Sequence, residues 1–97
     1  MVTYILLVTF TEQGRQNFKN SYTTIREEFK KQVAKLGGKM TGYVTAGPYD
    51  AIEILDMPND DGALSILLGS LSVNEIRTVT LRAFHEDEVN KTLKSMS

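Results

Sequence analysis

Residues 38–57 constrain the fold more tightly than any other stretch of this 97-residue chain. Met40, Tyr43 and Val44 precede the segment Gly47-Pro48-Tyr49-Asp50, and Ile52, Ile54 and Leu55 follow it. Proline at the second position of a tight turn arrives with its φ already set, so the pattern predicts strand, turn, strand. One helical pattern ends just before it at Gly37-Gly38, and another starts just after Pro58-Asn59-Asp60-Asp61. With a strand pattern near each end of the chain, the order reads β-α-β-β-α-β, an α+β architecture with an antiparallel sheet.

The first strand adds a second constraint. Residues 4–10, Tyr-Ile-Leu-Leu-Val-Thr-Phe, are nearly continuous in apolar side chains where a half-exposed strand would alternate. Such a run describes a strand covered on both faces. In a βαββαβ sheet the helices cover one face only, so the other asks for a partner subunit or a ligand. The length allows one core and one domain, residues 1–97, burying roughly 60–70% of the unfolded chain's surface. A composition that is 41% hydrophobic and 24% charged, with net charge −1, gives no electrostatic pull toward nucleic acid or an anionic membrane. Cysteine is absent and His85 is the single histidine, which excludes disulfides, thiol catalysis and metal sites built from several imidazoles or thiolates of one chain. The N-terminus runs into a strand without a basic leader, and no apolar run approaches the 18 or so residues of a membrane span, so the expected location is cytoplasmic.

Between the strands, Tyr22, Ile25, Phe29, Val33 and Leu36 recur at helical spacing and mark one apolar stripe. Ser21 is the expected N-cap of this helix, with Thr11 capping a short turn before it. Arg26, Glu27, Lys30, Lys31 and Lys35 read as the solvated face. Asn59-Asp60-Asp61 supplies a cap and a favourable dipole for the second helix, in which Ala63, Leu64, Ile66, Leu67, Leu68 and Leu71 are apolar. Alternation in the second half predicts Ile52 and Ile54 toward the helices and Glu53 on the helix-free face. In the last strand it predicts Val79, Leu81 and Ala83 inward and Thr78, Thr80 and Arg82 outward. The tail from His85 onward has an acidic start and a basic end, as a last short helix requires.

The chemistry-bearing groups form one constellation. Tyr43, Glu53, Thr78, Thr80 and Arg82 are expected on the helix-free face, mixed with apolar residues of the first strand, as a small-ligand site needs. The competing reading is a dimer interface whose charges pair across a two-fold axis. Tyr49-Asp50 reads as Asx-type turn chemistry. His85, at a strand-to-helix junction, reads as a capping residue. No phosphate-binding loop, metal site or cofactor motif is present; the acidic runs 60–61 and 86–88 are explained by helix dipoles.

Several of these segments together resemble the GYD-domain family: Tyr4-Ile5-Leu6-Leu7, Thr11-Glu12-Gln13-Gly14, Leu36-Gly37-Gly38-Lys39, Gly47-Pro48-Tyr49-Asp50, Pro58-Asn59-Asp60-Asp61 and Thr80-Leu81-Arg82-Ala83-Phe84. The resemblance implies a ferredoxin-like subunit of the dimeric α/β-barrel group, in which two sheets face each other. The family's naming residues map to Gly47, Tyr49 and Asp50, with Pro48 intervening. The expectation is therefore a homodimer or higher oligomer, binding a small, partly apolar ligand between its sheets without a cofactor. An alternative is a cofactor-independent monooxygenase or isomerase acting on an aromatic or quinone-like substrate, with His85, Tyr43, Glu53 or Arg82 as acid, base or anchor. A third is a ligand-sensing partner of a separate regulatory protein.

Overall fold

The computed structural model describes residues 1–96. Its order is β1 (Val2–Phe10), α1 (Glu12–Gln16), α2 (Phe18–Lys35), β2 (Lys39–Val44), β3 (Ala51–Met57), α3 (Asp60–Ser70), β4 (Ile76–Ala83) and α4 (Glu86–Ser95). The four strands form one antiparallel sheet in the order β2-β3-β1-β4. This is the βαββαβ arrangement of a ferredoxin-like fold, with its first crossover split into two helices and a fourth helix appended.

Caps explain most of the helix boundaries. Thr11 accepts from the backbone N–H of Gly14 at 3.2 Å, and Asn59 accepts from that of Gly62 at 2.8 Å, so α1 and α3 begin where expected. The main helix starts four residues earlier than expected, capped at Asn17 in place of Ser21, and the Asn17 side chain makes no capping bond. The aromatic contacts of Phe18 account for the earlier start. Its ring meets Phe10 edge-on at 4.9 Å and stacks on Tyr22 at 5.7 Å, so the first turn is held by tertiary packing. His85 caps α4 as read: its Nδ1 accepts from Asp87 N–H at 3.2 Å, while Glu88 accepts from His85 N–H at 2.8 Å, a capping box.

The core lies between the sheet and α2 and α3. Leu6, Val8 and Phe10 of β1 meet Ala51, Leu55 and Met57 of β3, Ile76 of β4, Val33 of α2, and Ala63 and Ile66 of α3. The register pairs Leu6 with Glu53 and Thr80, and Val8 with Ala51 and Thr78. Side chains facing the helices are therefore Ala51, Glu53, Leu55 and Met57 on β3, and Ile76, Thr78, Thr80 and Arg82 on β4. This reverses the expected parity of both strands: Ile52 and Ile54 lie on the helix-free face, and so do Val79, Leu81 and Ala83. On β2, Tyr43 lies on the helix-free face as expected, together with Thr41, and Met40, Gly42 and Val44 lie on the helix side.

The helix-free face is consequently apolar in rows that run across the sheet. Tyr43, Ile52, Leu7 and Val79 are neighbours in one row, and Thr41, Ile54, Ile5 and Leu81 in the next. Polar rows bound the band. At one end stand Lys39, Asp56 and Thr3, with the Thr3 hydroxyl donating to Asp56 at 2.7 Å; at the other stand Thr9 and Arg77.

Candidate functional site

Glu53 faces the helices from the middle of β3, where an unpaired carboxylate would be costly. Its partner is Arg26 of α2, whose Nη1 donates to Oε1 at 2.5 Å. The two side chains are only 19% and 14% exposed. Burial pushes the Glu53 carboxyl above its ordinary value of 4.5, and the Arg26 guanidinium partly offsets the rise. Oε2 of Glu53 is buried without a hydrogen-bond partner among the described residues. The pair lies directly over Gly42 of β2, where a Cβ would collide with Glu53 Oε2 and the guanidinium. The absence of a side chain at residue 42 is what lets two charged groups fit under α2.

This pair forms the charged part of the wall of a cavity of about 50 Å3 between the sheet and the helices. The remaining wall is mostly apolar, including Leu6, Val8, Phe29, Met40, Leu55 and Ile66, and Thr78 also borders it. Ser70 also borders it, but its hydroxyl is engaged by the Leu67 carbonyl at 2.6 Å. A partly open apolar space beside a buried, perturbed carboxyl is an arrangement found in binding and catalytic sites.

The five expected site residues are not brought together. Glu53 and Thr78 meet at the cavity, on the opposite face from the one expected. Thr80 shares that face but is exposed and takes no part in the cavity wall. Arg82 is engaged at the end of the sheet. It lies 4.5 Å from the ring centre of Phe84 and 5.4 Å from that of Tyr4, and donates to the carbonyls of Thr3 and Ala83. Beside it the Tyr4 hydroxyl donates to Asp60 at 2.9 Å, which holds the phenol pKa above its usual value. Tyr43 stands on the helix-free face as read, 59% exposed. His85 is 72% exposed and occupied as a cap, so an acid-base set drawn from His85, Tyr43, Glu53 and Arg82 does not converge.

Arg26 is the residue that the sequence reading missed. It follows Tyr22 by four residues and precedes Phe29 by three, so it falls within the apolar stripe and not on the solvated face. A cation at that spacing, opposite a mid-strand glutamate, was the available signal.

In the segment Gly47, Tyr49 and Asp50, Asp50 holds neighbouring backbone and Gly47 meets a conformational requirement. The Asp50 carboxylate accepts from Phe10 N–H at 2.8 Å, its N–H donates to the Val8 carbonyl at 2.8 Å, and its carbonyl accepts from Thr45 N–H at 2.9 Å. The carboxylate thus caps the end of β1 across the sheet and does not close an Asx turn. Gly47 has φ +136, a conformation that side-chain-bearing residues rarely adopt. The Tyr49 carbonyl accepts from the Thr45 hydroxyl at 2.7 Å, locking the loop onto itself.

The sequence profile of the GYD domain matches residues 4–93. The chain belongs to the GYD-domain family. The crystal structure of TTHA0845 from Thermus thermophilus is similar to this GYD domain, with a TM-score of 0.56 at 23% identity, covering 88% of this chain and 95% of that one. At that identity the likeness speaks for the fold alone. No curated protein matches the chain. Among the described residues, no three of His, Cys, Asp and Glu gather in a way that could hold a metal ion, and no helix is long and apolar enough to cross a membrane.

Proposed function

We propose that this GYD-domain chain works as a homodimer, sheet against sheet, and that each protomer holds a small, partly apolar molecule in its own cavity beneath α2. The reading rests on how the two faces of the sheet divide their residues. The helix-free face has two apolar rows with polar rows at either end, the pattern of an interface core and rim. The ionisable groups that converge lie on the other face, against α2. A second copy is a fitting cover, because a two-fold axis brings the same apolar rows together at the roughly 10 Å spacing of packed sheets. The ligand therefore belongs within a protomer and not between the two sheets.

Native mass spectrometry on gently purified protein tests both halves. The expected species is twice the 10.9 kDa chain mass, with additional small-molecule mass bound. A monomer at micromolar concentration would overturn the pairing. A bare dimer would keep the pairing and remove the resident ligand.

A further inference from the structure

Glu53 borders the cavity, and its Oε2 is buried with no donor in reach among the described residues. We infer that the cavity takes a neutral, mainly apolar molecule that donates one hydrogen bond, from an O–H or N–H group, to Oε2 of Glu53. This deepens the proposed reading of the cavity as a binding site and rests on it.

The sense of the hydrogen bond follows from that one atom. Arg26 holds Oε1, and the neighbouring guanidinium favours the carboxylate form, in which both oxygens accept. Oε2 is left as the unmet acceptor, so the ligand supplies the donor. A buried acceptor without a partner bears its full desolvation cost, and a donor brought by the ligand relieves it. Oε2 lies over Gly42, where the bare Cα leaves space beside it. The terminal torsion of a glutamate is broad, so a turn of the carboxylate in that space brings Oε2 to the cavity.

Charge and polarity narrow the rest of the molecule. Arg26 and Glu53 balance each other, so a cation would enter as an unbalanced charge beside the guanidinium, and an anion would face the carboxylate. Leu6, Val8, Phe29, Met40 and Leu55 reward an apolar body. Water is a poor substitute: a well-held buried water makes about two to four hydrogen bonds, and this wall is mostly apolar.

The test titrates the full-length chain with 2-propanol, acetone and isopropylamine, in the millimolar range expected of molecules this small. The three share one apolar frame and differ in a single group: a neutral donor, an acceptor alone, and a cation at neutral pH. The readout is NMR shift changes at the Gly42, Glu53 and Thr78 amides and at the Glu53 carboxyl carbon. 2-Propanol is expected to move them saturably and to bind at least about tenfold more tightly than the other two, the worth of one hydrogen bond to a charged acceptor. Arg26→Met combined with Glu53→Met removes the acceptor without stranding a guanidinium, and should bring 2-propanol and acetone to similar affinities. An alcohol advantage that survived in this double variant would take the donor away from Glu53 and overturn the inference. If 2-propanol held no such advantage over acetone or isopropylamine in the wild type, the ligand class would fall while the cavity stayed a binding site. If none of the three probes moved the cavity residues, both readings would fall together. The wild-type titrations decide this even if the double variant does not fold.

Discussion

Glu53 sets how stability responds to pH. Burial, only partly offset by Arg26, raises its carboxyl above 4.5, so the folded chain binds this proton more tightly than the unfolded chain does. The sign follows from linkage: stability from this group is greatest below pH 4.5 and falls as pH rises from there through the raised folded value. The slope is bounded by one proton, about 1.4 kcal/mol per pH unit. Glu53→Gln removes it. Urea unfolding of both proteins across this range should give a stability difference that shifts in favour of the variant as pH rises. A pH-independent difference would show that the carboxyl is not perturbed by folding. The same residue marks a limit of sequence reading. A mid-strand glutamate was visible as an anomaly, but the groups that make it tolerable, Arg26 above and the bare Gly42 below, come from two other elements.

At the scale of elements, the caps of α1, α3 and α4 and the order of elements along the chain could be read from local signals, whereas the start of α2 and the facing of β3 and β4 could not. Alternation locates a core only when one face is polar. In β3 the inward set is Ala51, Glu53, Leu55 and Met57, and the outward set contains Ile52 and Ile54; both are apolar enough to pass for core. The cause is the apolar helix-free face, which erases the contrast that the period-2 pattern depends on. The Gly47-Pro48-Tyr49-Asp50 loop was recognisable as a turn, but its long-range tie was not, because Phe10 lies 40 residues away from Asp50. That tie makes a prediction. Asp50→Ala leaves the part-buried Phe10 N–H without its acceptor and should cost about 1–3 kcal/mol in urea unfolding. Asp50→Asn retains a carbonyl acceptor and should lose less. Equal stability of Asp50→Ala and wild type would mean that this carboxylate is not what holds the end of β1.

For the whole molecule, the proposed pairing has to be assigned to one of several apolar surfaces. The chain extends 53 × 31 × 18 Å, and α4 has no buried residue, leaving Val89, Leu93 and Met96 at its surface. On α3 and its C-cap, Leu64, Leu68 and Leu71 are likewise exposed. These helical stripes are narrow, whereas the sheet band joins all four strands in contiguous rows. Pairing through that band couples folding to protomer concentration by mass action. A tenfold rise in concentration should raise the wild-type Tm by roughly 3–6 °C, given about 1.4 kcal/mol per decade and the entropy of unfolding a dimer of this size. Ile54→Lys places a charge in the centre of the band and should give a monomer whose Tm does not depend on concentration. Leu93→Lys on α4 serves as the matched control and should keep the wild-type dependence. If Leu93→Lys abolished the concentration dependence and Ile54→Lys preserved it, the assembly would run through α4. The apolar band on the sheet would then need a different cover, and a ligand between sheets would again be the reading to test.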